Sequence, residues 1–182
     1  AAVAGDKRIS LSWEPCRNVT GYEVKITGPG GKQATMYVTG NSLQLTSLGN
    51  DKIVNYETYQ ICVQSVNGTW RSGYCGAVEA IPVPTGKPDK PDNLTVAGKY
   101  CSIAASWKKM EDTLSYNLYY KEVGQEGDYQ KIEGIQENSY TLTGLKELTE
   151  YEIRVSGVNE LGEGPMSLPG TATTTDLSPS AM

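Results

Sequence analysis

The 182-residue chain has no histidine, no phenylalanine and only four methionines. Without histidine the usual proton carrier near neutral pH is missing, and so is the commonest metal ligand. The four cysteines, at positions 16, 62, 75 and 101, do not have the CxxC spacing of a structural zinc site. Gly-rich phosphate loops and EF-hand spacing are absent from the sequence. No apolar run approaches the roughly 18 residues that cross a bilayer as a helix. No ten-residue stretch has helical periodicity. The expectation is a β-protein that is not an enzyme, carries no cofactor and no metal, and does not insert directly in a membrane.

Excess positive charge is lacking too. The formal net charge is -5. Residues 1–83 hold seven Lys/Arg and six Asp/Glu, whereas residues 84–182 hold nine and fifteen. Neither part offers the basic face that a phosphate backbone requires, which excludes nucleic acid as a partner. Glu147, Glu150, Glu152, Glu160 and Glu163 fall on turns and outward strand positions, where a solvated surface is expected.

What the chain does contain is a repeat. "ISLSWEP" at residues 9–15 is echoed by "SIAASWK" at 102–108, so Trp13 and Trp107 lie 94 positions apart, as do Tyr22 and Tyr116. "NSLQLTSL" returns as "NSYTLTGL" after 97 residues, and "YQICVQSVN" as "YEIRVSGVN" after 92. Repetition at a nearly fixed spacing is the signature of tandem domains. Between the copies lies "IPVPTGKPDKPDN", whose prolines at 82, 84, 88 and 91 stop helix and central strand and favour a semi-rigid extended connection. The expected layout is a domain over 1–83, a linker over 84–90, a second domain over 91–176 and a disordered tail over 177–182.

Alternation with period two assigns faces. Ile9, Leu11, Trp13, Tyr59, Ile61 and Val63 point to one core, and Ile103, Ala105, Trp107, Tyr151, Ile153 and Val155 to the other. Ser10, Ser12, Gln60, Gln64, Glu152 and Arg154 are expected to face solvent. A sheet buried on one face needs a second sheet over it, giving a sandwich of about seven short strands per copy.

The tryptophans of the second strand, the tyrosines of the third and the run "LTGLKELTEY" together resemble a pair of fibronectin type III domains, and the resemblance covers nearly the whole chain. It implies two consecutive immunoglobulin-like β-sandwiches, all-β, and a corner in which the hydroxyl of Tyr151 bonds back to the E to F connection. "NELGEGPMS" at 159–167 resembles the family's F to G loop. Two departures stand out. The first copy adds five residues in "GNDKIVNYET", which either pack against the linker or neighbouring domain or extend as a solvated loop. It also lacks a counterpart of "KPDNL", so its strand A is expected to be truncated, as in a fragment of a longer extracellular or cell-surface protein.

On that frame Cys62 and Cys75 fall on strands F and G with outward parity, and a hairpin tip near Gly68 and Thr69 would set them opposite each other for a disulfide. A longer tip would shift the pairing out of reach and leave Cys16 as the partner of Cys75. Cys101 reads as a buried free thiol. Three sequons, at Asn18, Asn67 and Asn93, are N-glycosylation acceptors in a secreted eukaryotic protein, although a Thr- and Asn-rich chain also makes such triplets by chance.

The conspicuous binding feature is "NGTWRSGY". Trp70, Arg71 and Tyr74 sit in or beside the F to G loop, where Trp70 either presents its ring to a partner or folds back over the sheet edge. No Arg-Gly-Asp tripeptide is present. The resemblance implies a non-catalytic spacer and protein-interaction or adhesion module, extracellular or at the cell surface, with a protein or glycan partner. The other readings are accessory modules of a secreted bacterial glycan-degrading enzyme and the ligand-binding ectodomain of a cell-surface receptor; flanking sequence would separate them.

Overall fold

Burial follows the alternation. Over residues 8–12, Ile9 and Leu11 are buried while Arg8, Ser10 and Ser12 are exposed, and over residues 102–106 Ile103 and Ala105 are buried. Such strands can close a core only against a second sheet, and they do so twice. The computed structural model describes residues 1–177, and the chain divides into two units, Ala1–Thr85 and Gly86–Met182. Of the tail expected over 177–182, all but Leu177 lies outside the described residues.

The first unit contains β1 (Ala2–Gly5), β2 (Arg8–Ser12), β3 (Gly21–Thr27), β4 (Gln33–Val38), β5 (Ser42–Leu45), β6 (Ser47–Leu48), β7 (Asp51–Lys52), β8 (Tyr59–Asn67), β9 (Trp70–Arg71) and β10 (Val78–Ala80). One sheet has the order β1-β2-β5 and the other β10-β8-β3-β4, with β9 also on β8. The second unit repeats this with β11 (Thr95–Lys99), β12 (Ser102–Ser106), β13 (Ser115–Glu122), β14 (Gln130–Ile135), β15 (Ser139–Thr143), β16 (Glu150–Asn159), β17 (Gly162–Glu163) and β18 (Gly170–Thr173). Its sheets run β11-β12-β15 and β14-β13-β16-β17, with β18 also on β16. Every strand pair is antiparallel. No α-helix occurs among the described residues. Strand β1 is one residue shorter than its counterpart β11.

The repeated residues make repeated contacts. Trp13 meets Tyr22, and Trp107 meets Tyr116, edge to face with ring centroids 5.3 Å apart and planes at 66° in both cases. The Tyr22 hydroxyl accepts from Cys16 N at 2.7 Å and that of Tyr116 from Met110 N at 2.8 Å. The expected corner is present twice: Val54 N donates to the Tyr59 hydroxyl and Lys146 N to the Tyr151 hydroxyl, each at 3.1 Å. Trp107 is buried, whereas Trp13 is only half-buried beside a slot of about 90 Å³ lined by Ala1, Ala2, Cys75 and Val78.

The five extra residues of the first unit pack. They form the β6-β7 hairpin and return Ile53 to the core with no exposed surface. Asn55 Nδ2 donates to Asp6 Oδ1 at 2.8 Å, and Tyr56 N donates to Pro82 O at 2.8 Å. The other oxygen of Asp6 accepts from Thr85 Oγ1 at 3.0 Å and from Thr85 N at 3.3 Å. In the second unit the entering segment is held separately: Asn159 Nδ2 donates to Gly86 O at 2.9 Å, and Pro88 lies so close over Gly164 that a Cβ there would come within 2.1 Å of its carbonyl oxygen.

Other burial expectations fail beside that of Trp13. Gln64, read as solvent-facing, is buried, and its amide donates to Glu23, whose other oxygen accepts from Arg71. Val63 is half-buried, not buried. Cys101 is not buried either: it sits at positive φ (44°) in the turn before β12.

Candidate interaction surface

Strand β8 ends at Asn67, turns through Gly68 and Thr69, and returns as β9, with Asn67 opposite Trp70 and Val66 opposite Arg71. Gly68 has φ of 59° at the first central position, the conformation a two-residue hairpin of the II′ kind demands of that residue. The Trp70 ring stays in solvent, 58% exposed, and does not fold back over the sheet edge.

Arg71 holds the tip rigid. Its Nε donates to Glu23 Oε1 at 2.9 Å, and its Nη1 donates to the carbonyls of Gly68 and Trp70 at 3.1 and 3.2 Å. Gln64 Nε2 donates to the other oxygen of Glu23 at 2.6 Å. These hydrogen bonds, Arg71 first and Gln64 second, hold the Glu23 carboxyl below the usual carboxylate range. Glu23 stands opposite Gln64 on one side and Tyr37 on the other, so a row of Tyr37, Glu23 and Gln64 crosses the outer face of the sheet, and Arg71, opposite Val66, reaches that row through its bond to Glu23. Tyr37 is 53% exposed and donates to Thr20 O at 2.8 Å, and Thr20 Oγ1 accepts from Gly68 N at 3.3 Å. Tyr74 is also exposed. Sequence reasoning singled out Trp70, Arg71 and Tyr74 and did not connect Glu23, Gln64 and Tyr37 with them. Outward parity of Glu23 and Tyr37 was the available signal, but only the register joins them.

Chemically, this is an exposed indole on one face of the hairpin, with a cation whose rotamer is already fixed on the other. Little side-chain entropy remains to be lost at Arg71 on docking, and exposed Trp and Arg dominate interface hot spots. The corresponding face of the second unit is closed on itself. Glu163 occupies the place of Arg71 and accepts from Ser156, Tyr119 and Lys131. Burial pushes the Glu163 carboxyl up, and the hydrogen bonds from Ser156, Tyr119, Asn117 and Lys131 outweigh it, leaving it at about 2. Glu152 pairs with Arg154 at 2.9 Å and accepts from Tyr129, over whose ring Lys121 lies at 4.7 Å. Glu152 and Glu163 are therefore part-buried network members and not the solvated carboxylates expected of them.

All four cysteines are free. The hairpin tip lies where expected, and both copies have the same two-residue turn, so no longer tip distinguishes the second. The pairing nevertheless drifts. Ser72 N donates to Ser65 O, but Cys75 N donates to Val63 O, so one extra residue has entered the returning strand beside Gly73, whose φ is 83°. Cys75 thus faces Val63, and Cys62 faces Lys25 across β3. The register does not bring Cys62 and Cys75 together as expected, and Cys16 lies exposed in the loop after β2. Asn18, Asn67 and Asn93 are all exposed. Among the described residues no group of three or more His, Cys, Asp or Glu could hold a metal ion.

Residues 89–173 match the family profile described as Fibronectin type III domain. Over 153 residues the chain is 32% identical to Receptor-type tyrosine-protein phosphatase F of Homo sapiens, covering 82% of this chain but 7% of that protein. It is 35% identical over 81 residues to a tail tube protein of Bacillus phage SPP1, 44% of this chain and 28% of that one. Among solved structures, a two fibronectin type III domain segment from chicken tenascin aligns with a TM-score of 0.49 at 18% identity, covering 96% of this chain and 97% of that one.

Proposed function

Because the chain belongs to the fibronectin type III family, as two of its domains in tandem, we propose that it is a non-catalytic segment of an extracellular or cell-surface protein that docks a protein partner through the Trp70 hairpin. In this reading the Pro-rich stretch between the two domains makes the pair a spacer. The observation that carries the docking role is the exposed Trp70 ring on a hairpin whose tip Arg71 ties back to Glu23. A receptor ectodomain is the second reading, favoured by the likeness to Receptor-type tyrosine-protein phosphatase F over 82% of this chain. The phosphatase activity in that name does not come with it, since the match covers 7% of that protein.

The test is a panel of secreted cell-surface ectodomains and an array of polysaccharides, probed with the full chain and with Trp70→Ala. A protein ligand whose affinity falls about thirtyfold or more on Trp70→Ala, the loss of a hot-spot residue, supports the reading. Ectodomain binding untouched by Trp70→Ala places the contact elsewhere, and binding of polysaccharide alone makes the partner a glycan.

A further inference from the structure

The asparagines that end β8 and β16 do different work in the two units. Asn159 is buried and uses its side-chain amide to hold Gly86 O at 2.9 Å and Asp112 O at 3.1 Å. Asn67, its counterpart 92 residues earlier, is exposed, and "NGT" makes it an acceptor sequon. The residues opposite differ as well: Gly162 faces Asn159, whereas Trp70 faces Asn67. Directly opposed residues of an antiparallel pair have Cβ atoms about 5 Å apart on one face of the ladder. Asn67 therefore projects beside an indole that is 58% exposed. Asn18 and Asn93 lie in loops at φ of 56° and 55°, outside any strand ladder, with no opposed aromatic.

We propose that Asn67 is N-glycosylated and that its first sugar packs on the face of Trp70, covering the hairpin. In the transfer, Asn67 Nδ2 forms a bond to C1 of the sugar as the bond from C1 to a polyprenyl pyrophosphate donor breaks. The pyrophosphate leaves with the electron pair, and the amide gives up one proton to the transferase. The apolar face of the pyranose then takes the place of water on the ring. This rests on the extracellular docking reading, to which it adds a control: the sugar-bearing chain has Trp70 masked, and the unmodified chain has it free.

The full chain and Trp70→Ala are secreted from animal cells, and occupancy at each asparagine is measured by peptide mass spectrometry. Each protein is then trimmed to a single N-acetylglucosamine and compared with its Asn67→Gln form by thermal unfolding. The expected result is an occupied Asn67 and a midpoint for the first unit raised by about 3 °C in the wild-type background, falling to under a third of that in Trp70→Ala. Asn67 left bare while Asn18 or Asn93 is modified overturns the proposal, as does a secreted chain bare at all three. An equal shift in both backgrounds overturns the stacking. The docking assay uses unglycosylated protein, so failure here leaves that reading standing and its failure leaves this one.

Discussion

Cys75 and Ser167 hold the same place in the two units. Cys75 Sγ accepts from Val63 N at 3.3 Å, and Ser167 Oγ accepts from Val155 N at 3.0 Å. Their backbone nitrogens donate to the same two valines, at 2.9 and 2.7 Å. The thiol therefore acts as a hydrogen-bond acceptor in a position the fold also fills with a hydroxyl.

Cys75→Ser should accordingly leave the stability of the first unit within about 0.5 kcal/mol of wild type, measured by urea unfolding. Mass spectrometry after alkylation in denaturant without reductant should find all four thiols modified. Two thiols that react only after reduction would mean either another strand register, joining Cys62 to Cys75, or another placement of the loop that carries Cys16.

Ile53 carries the inserted loop into the core. Ile53→Ala should destabilise the first unit by about 2–4 kcal/mol through lost burial and a residual cavity, and leave the unfolding of the second unit unchanged. A loss below about 0.5 kcal/mol would return the insertion to the status of a solvated loop.

The Tyr151 hydroxyl accepts the Lys146 amide, and phenylalanine there strands that donor. Tyr151→Phe should cost the second unit about 1–3 kcal/mol with its ring packing retained, read from denaturant unfolding at fixed pH. Tyr59→Phe should do the same to the first unit.

Glu163 is the acid-sensitive member of the second unit. Its carboxyl sits at about 2 when folded, against an ordinary value of 4.5, so the folded state binds fewer protons than the unfolded state between those values. The stability it contributes is fully present above pH 4.5 and is lost as pH falls through about 2. Glu163→Gln should flatten the stability of the second unit over that window, as followed by thermal unfolding from pH 5 to pH 2. A slope equal to that of wild type would place the acid sensitivity on other carboxylates.

Features that depend on one strand at a time were legible in the sequence. The repeat of Trp13 and Tyr22 as Trp107 and Tyr116 follows from residue type and offset, and the Tyr151 corner follows from the resemblance. Features that depend on register were not. Parity alone put Gln64 in solvent, since nothing in the sequence says that its amide donates to Glu23. The pairing of Cys62 with Cys75 was misread by one residue, for an extra residue beside Gly73 leaves no mark on the alternation. The indole of Trp70 had two open placements, and the tight turn at Gly68 with Arg71 tied back to Glu23 selects the exposed one.

The bracket at Asp6 has a mechanical meaning. One carboxylate near the start of the first unit grips Thr85 at its end and Asn55 in between. Tension applied to the chain at Thr85 is therefore delivered first to the β1–β2 turn. That grip and the bond from Tyr56 N to Pro82 O both stand between the loaded residue and strand β10.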